Sequence, residues 1–293
     1  MQVEATSERC FGDISVVIPA LNEEASIAPL VEALMIELPE AEILVVDDGS
    51  NDRTAERASE AGARVVRHPY RKGNGAAVKS GARAANGAIL VFMDADGQHR
   101  ASDVKTLLKR LDDGFDMVVA ARSRSAQASL VRRLGNGLYN RIAGWIVNRP
   151  IPDLTSGFRA VRAEQFKEFL PLFPNGFSYP TTVTMAFFRA GYSVDFIPID
   201  VQPRVGRSHL NIWRDGGRFA LIIFRIGTLY SPLKLFTPFA GFVGLLGVLN
   251  YAYTYFTFGT FTNMSALMFV TAVLIFLMGL VSEQIVMLLY KRD

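Results

Sequence analysis

Between Lys234 and Glu283 the chain carries no charged residue. Two apolar stretches fill that gap, about Leu235–Phe256 and Ala266–Leu289. Each is long enough to cross a hydrocarbon core of about 30 Å as a helix. Glu283 lies near the end of the second stretch, where a carboxylate reaches the interface. The linking segment TFGTFTN is short and uncharged, while Arg225 and Lys234 flank the first stretch and Lys291 and Arg292 end the second. Positive charge at both outer ends, with none in the loop, predicts an integral membrane hairpin whose two ends are cytoplasmic. The competing reading is a helical hairpin buried in a soluble core, where two such runs in succession are rare.

The rest of the chain has a different texture. With 293 residues, a formal charge of +3 and a pI near 9.0, it suits one large domain plus an appendage. No nucleic-acid partner is expected. The single cysteine, Cys10, rules out an intrachain disulfide. The polar, acidic start MQVEATSERCFGD has no basic segment followed by an apolar one, so no signal peptide is expected. The expected divisions are 1–208 for a catalytic domain, 209–231 for a juxtamembrane segment and 232–293 for the hairpin with a short cytoplasmic tail.

Residues 14–122 alternate short apolar runs with helical patterns. ISVVIP, EILVVDD, ARVVRH, AILVFMDAD and DMVVAAR read as strands. Helical segments separate them, the second one, NDRTAERASEAG, capped by Ser50 or Asn51. This alternation predicts an α/β domain with a largely parallel sheet, which binds ligands at the carboxyl ends of its strands. Three of those ends are polar: Pro19 to Glu23, Asp47 to Ser50, and Asp94-Ala-Asp96. Beyond Ser208, Ile212, Phe219, Ile223, Ile226 and Tyr230 recur at helical spacing, with Arg214, Arg218 and Arg225 on another face. The pattern fits an amphipathic helix at a membrane surface and, equally, a helix packed on the globular domain.

The run VFMDADGQHR shows the chemistry best. An apolar strand stops at Asp94 and Asp96, and Gln98 follows at the same alternation. Such hard oxygen donors suit Mg2+ or Mn2+ shared with a phosphate; an acidic turn is the other reading. Asp47 and Asp48 can accept hydrogen bonds from a base or ribose, or cap the next helix. Arg71-Lys72-Gly73-Asn74-Gly75 is a glycine-rich helix start with basic neighbours, suited to an anion or to a plain loop. In SLVRRLGNGLYNRIAGW, Arg132, Asn136 and Asn140 share one helix face, either as a ligand face or as a solvated one.

Together VVIPALNEE, VVDDGSNDRT, GNGAAVKSG, FMDADGQH and DLTSGFRA, in this order, resemble glycosyltransferase family 2. More narrowly they resemble its polyprenyl-phosphate glycosyltransferases, the group containing dolichol-phosphate mannose synthase. The resemblance spans about Ile14 to His209 plus the hairpin. It implies a GT-A (Rossmann-like) fold, a nucleotide-sugar donor (a UDP- or GDP-sugar) and a divalent cation. It further implies a polyprenyl-phosphate acceptor in the membrane, and members of this architecture can be homo-oligomers.

Residue by residue, the resemblance assigns Pro19, Leu21, Glu23, Asp47, Asp48, Lys72, Asp94, Arg204 and Ser208 to the donor. Asp94, Asp96 and Gln98 are assigned to the metal. Arg122, Arg132 and Asn136 fall to the acceptor phosphate, with Asn136 where the family often has Ser. The implied catalytic set is Asp96, Arg122, Arg132 and Asp153. The covering loop commonly ends Ser-Lys; here it ends Ser208-His209, which removes a permanent charge.

The expected reaction is inverting, metal-dependent transfer to a lipid phosphate. Its competitors are transfer to a polysaccharide or a protein hydroxyl, and sugar-nucleotide binding without catalysis. A processive polysaccharide synthase usually carries Gln-x-x-Arg-Trp before its membrane helices, and no such motif occurs here.

Overall fold

A computed structural model describes residues 13–122, 130–176, 178–200, 224, 227, 228 and 230–289; side chains in the helix starting at residue 130 are described from residue 137. The chain divides into two compact units. One comprises Met1–Arg141 and Arg149–His209, the other Ile142–Asn148 and Leu210–Asp293.

A seven-stranded sheet organises the first unit, in the order β3-β2-β1-β4-β6-β5-β7. Strands β1 (Ile14–Ala20), β2 (Glu42–Asp47), β3 (Arg64–Arg67) and β4 (Ile89–Phe92) run parallel. Between them lie α1 (Ile27–Glu37), α2 (Thr54–Glu60) and α3 (Asn74–Ala84). After β4 come α4 (Asp103–Asp112), β5 (Met117–Arg122) and α5 (Leu130–Val147). The chain then returns through β6 (Arg159–Arg162), which pairs antiparallel with both β4 and β5. Next come α6 (Ala163–Glu168), α7 (Tyr179–Arg189) and β7 (Val194–Ile199), and β7 runs parallel to β5.

These elements follow from the sequence in a simple way. β1 and β4 are covered on both faces, so they read as apolar runs instead of alternating ones, broken only by the buried Ser15, whose hydroxyl donates to Glu42. In α4, Val104, Leu107, Leu108 and Leu111 are buried, a stripe at i, i+3, i+4 and i+7. One residue in the centre departs from this rule. Arg159 on β6 is fully buried, and its guanidinium donates to Pro180 O at 3.2 Å, Thr184 Oγ1 at 3.1 Å and Ser156 O. It thereby ties β6 to the first two turns of α7.

The start of α2 differs from expectation. The helix begins at Thr54, and Asp52 Oδ1 accepts Thr54 N at 3.0 Å. Ser50 Oγ instead accepts Asn22 N at 2.9 Å, which stitches the β1 and β2 ends together.

In the second unit, α8 (Pro232–Phe258) and α9 (Asn263–Leu289) pack as a hairpin. Their mean hydropathies are 1.6 and 2.5, and most of their large apolar side chains, among them Phe242, Leu249 and Val273, are exposed. Apolar surface exposed all around a helix pair is what a lipid environment accommodates. The helices meet through small residues: a Cβ on Gly279 would lie 2.7 Å from Phe236 Cβ. Near the loop, Asn250 Nδ2 donates to Ser265 Oγ at 2.9 Å. At the other end, Leu233 N donates to Glu283 Oε2 at 3.3 Å, and Lys234 Nζ donates to Ile146 O at 2.8 Å and to Asn148 Oδ1 at 3.0 Å.

Candidate active site

At the carboxyl ends of β1, β2 and β4 lies a cleft of about 290 Å³. Pro19, Leu21, Glu23, Asp48, Arg71, Asn74, Asp94 and Asp96 are among its lining residues. Residues from all three polar strand ends meet here. The strand order reverses direction at β1 and β4, which is where open α/β sheets bind ligands.

The rim is built mainly by hydrogen bonds from backbone N–H groups to side-chain oxygens. Asn22 adopts the left-handed conformation, φ 55°, which a short amide side chain tolerates. Its Oδ1 accepts Asn51 N at 2.9 Å, and Glu23 N donates to Thr54 Oγ1 at 2.9 Å. Asp47 turns away from the cleft: Oδ1 accepts Ser50 N at 2.9 Å and Oδ2 faces Arg67 Nε at 3.2 Å. Asp48 is buried and grips the next loop. Its Oδ1 accepts Lys72 N at 2.9 Å and its Oδ2 accepts Gly73 N at 2.8 Å. His68 Nδ1 also lies 2.8 Å from Asp48 Oδ1, while His68 Nε2 meets Ser80 Oγ at 2.8 Å.

The loop so held enters α3 at Gly73, φ 106°, a conformation that glycine adopts without strain. Of the basic pair, Arg71 lines the cleft. Lys72 contributes its backbone, and its ammonium lies 5.7 Å from the Tyr70 ring centroid.

Asp94 and Asp96 are half-buried on the opposite wall. Gln98 N donates to Asp96 Oδ1 at 3.2 Å across Gly97, closing a tight turn. Gly157 lies directly against Asp94: a Cβ there would stand 2.9 Å from Oδ2 and 3.1 Å from Oδ1. The carboxylate therefore sits in a cradle that any larger residue would fill. Among the described residues no three His, Cys, Asp or Glu side chains are grouped to hold a metal. The donors lining the cleft here are the two carboxylates of Asp94 and Asp96, hard oxygens that fit a divalent cation drawing the rest of its shell from a phosphate and water.

Arg122, at the end of β5, forms a two-point ion pair with Asp153: Nε to Oδ2 at 2.7 Å and Nη2 to Oδ1 at 3.2 Å. Nη2 also donates to Thr155 Oγ1 at 2.5 Å. Burial opposes the charge on both partners. On Asp153, which is 5% exposed, the bonds and charge of Arg122 outweigh burial and hold the carboxyl below its ordinary range. On Arg122, burial is likewise outweighed by Asp153, with help from Asp94 and Asp96. His99 is buried against Phe158, ring centroids 4.7 Å apart, and burial pushes its pKa down in spite of Asp96.

Arg204, Ser208, His209 and most of the 209–231 segment lie outside the described residues, as do the side chains of Arg132 and Asn136. Sequence reasoning missed His68, Arg159, Gly157 and the work of Asn140. Their partners are far along the chain, and only the DLTSGFR motif hinted at two of them.

A mostly parallel sheet with an acid-lined cleft at its switch point, followed by an apolar hairpin, defines a membrane-attached GT-A enzyme. Residues 15–170 match the model for glycosyl transferase family 2, and residues 231–288 match that for the GtrB C-terminal hairpin. The chain belongs to glycosyltransferase family 2 and is a glycosyltransferase.

It is 31% identical to glycosyltransferase AglJ of Haloferax volcanii, over 76% of this chain and 75% of that protein. The dolichyl-phosphate hexose transferase of the same organism is 29% identical, over 75% and 96%. The undecaprenyl-phosphate 4-deoxy-4-formamido-L-arabinose transferase of Pectobacterium atrosepticum is 29% identical, over 58% and 57%. Among solved structures, glucosyl-3-phosphoglycerate synthase of Mycobacterium tuberculosis with Mn2+ and UDP-glucose aligns with a TM-score of 0.58 at 27% identity, over 72% of this chain and 76% of that one.

Proposed function

We propose that this glycosyltransferase moves a sugar from a nucleotide-sugar donor to a membrane polyprenyl phosphate, inverting the anomeric carbon. The names of two relatives, a dolichyl-phosphate and an undecaprenyl-phosphate transferase, support the acceptor. The UDP-glucose in the solved relative favours a UDP-sugar over a GDP-sugar.

In this reading the nucleoside lies along the Pro19–Glu23 rim and the Asp48-braced loop, with Arg71 beside it. The diphosphate points to Asp94 and Asp96. A divalent cation, Mg2+ or Mn2+, held by Asp94, Asp96 and Gln98 would supply Lewis-acid neutralisation of the leaving diphosphate. Arg122 offsets the repulsion between donor and acceptor phosphates and orients the attacking oxygen. Arg132, Asn136, Arg204 and Ser208 enter this reading through the resemblance alone. Both termini and the catalytic unit are cytoplasmic.

One observation carries the choice of acceptor. A hydroxyl acceptor needs a base, and Asp153 is the nearest candidate. Both its oxygens are bonded to Arg122, one also to Thr155, and its carboxyl is held below the ordinary range. It is a poor base and a good brace. A lipid phosphate, with a second pKa of about 6, needs no base near neutral pH.

The test is transfer from a panel of UDP- and GDP-sugars to undecaprenyl phosphate, with undecaprenol as control, in Mn2+ or in EDTA. Product should form with the phosphate alone and vanish in EDTA. Equal transfer to the alcohol, or turnover unaffected by EDTA, would overturn the proposal.

A further inference from the structure

Asn140 commits its whole side-chain amide to the backbone on either side of Asp153. Its Nδ2 donates to Pro152 O at 2.6 Å, and its Oδ1 accepts Leu154 N at 3.1 Å. The segment between those two contacts is one residue long, and that residue holds Arg122. Asp153 takes Nε and Nη2 and accepts Arg122 N at 3.4 Å. Thr155 takes the second Nη2 proton and donates its own to Asp153 Oδ1 at 3.0 Å. A guanidinium has five N–H donors. Three are used, and Nη1, with the other two, has no partner among the described residues.

We infer that Asn140 is a positioning residue: through Asp153 it aims the Nη1 edge of Arg122 at the acceptor phosphate, and so sets affinity for the lipid phosphate without touching it. The inference rests on the acceptor reading above. It depends on amide chemistry, because the two contacts need one acceptor and one donor on the same carbon. Aspartate of the same shape keeps the bond from Leu154 N and loses the one to Pro152 O. Leucine loses both. A bidentate, oriented arginine discriminates a phosphate by geometry, so a small error in aim weakens binding at that group alone.

The test compares full-length wild type, N140L and N140D, each with and without R122K. It measures KM for undecaprenyl phosphate, KM for the donor, kcat, and the Kd of the Mn2+-nucleotide. N140L should raise the lipid-phosphate KM about tenfold, with N140D in between, because misplacing a positioning group acts on the step it serves. Donor KM and nucleotide Kd should stay within about twofold, the scatter of independent sites. In the R122K background N140L should add less than about twofold, since both changes break the same contact.

An unchanged lipid KM in both variants overturns the inference. So does a parallel rise of donor and acceptor constants, or an equal effect of N140L in the R122K background. If N140L lacks a cooperative melt, N140D carries the same comparison. Failure of wild type to use the lipid phosphate removes the acceptor reading together with this inference, whereas wild-type transfer with unaltered variants removes the inference alone.

Discussion

Three carboxylates in this site fall to two opposite assignments. Asp94 and Asp96 face the cleft, whereas Asp153 is turned onto Arg122. D94N and D96N should each lower kcat by about 10²–10³-fold, the size seen when one charge-stabilising group is lost from a preorganised site. Nucleotide binding in those variants should stop responding to Mn2+, as calorimetry would show.

For Asp153 the measurable is stability. Its carboxyl is held below the ordinary value of 3.8. A depressed pKa contributes stability that is complete above the unfolded value and is lost as pH falls through the folded one. D153N should therefore melt below wild type by a constant margin between about pH 5 and 8. That margin should close as pH drops below about 4. Melts at stepped pH check this, and a margin that widened in acid would contradict the pairing.

Asp48, Asp94 and Asp96 were readable as cleft residues because each follows an apolar strand, whereas nothing in the spacing separated Asp47, which is bonded to Ser50 and faces Arg67. Asn140 was readable only as a member of a polar helix face, and its partners at 152 and 154 follow from tertiary structure. His68 and Arg159 were unreadable for the same reason: a buried histidine or arginine has no periodicity to betray it.

At the level of elements, close approaches between backbones and carboxylates decide what the site tolerates. G157A would bring a Cβ to 2.9 Å from an Asp94 oxygen. Because that oxygen ends a side chain, the fold should survive with little change in melting temperature, while Mn2+ affinity and turnover fall by about 10²-fold from the displaced ligand. Mn2+ titration by electron paramagnetic resonance measures the first effect directly.

G75A is the contrasting case. Its Cβ would fall 2.0 Å from Pro174 O, a backbone atom, where α3 starts against residues 174–176. It should destabilise by about 1–3 kcal/mol or more, as overpacking does. G137A, on a part of α5 with nothing within 4 Å, should be neutral or slightly stabilising in the same melts.

Most of the five strands and four helices up to residue 122 were legible because they bury a continuous run or a stripe; β3, exposed at both ends, was legible from its place in the alternation. The elements between α5 and the hairpin were not. β6 is four residues long with arginine at both ends, and it enters the sheet antiparallel, against the alternation that precedes it.

For the molecule as a whole, the hairpin was the easiest feature to foresee, since an uncharged stretch of that length has few destinations. Its orientation is a separate matter, argued from lysine and arginine placement. Cysteines at Glu60 and at Thr260, in a Cys10→Ser background, should label from opposite faces of sealed vesicles, Glu60 from the cytoplasmic side. Labelling of both from one face would refute the spanning arrangement.

The base of the hairpin adds a mechanical point. A backbone N–H at the start of α8 is held by Glu283, four residues after Gly279, and Lys234 is fastened to carbonyls at Trp145 and Ile146. Sliding one helix along the other by a turn would drag an ammonium or a carboxylate into hydrocarbon, at a cost of about 2.5–3.5 kcal/mol or more each. The pair is thus locked in register like a two-pronged plug. A thicker or thinner bilayer would be met by leaning of both prongs together, and the depth at which they are seated would hold.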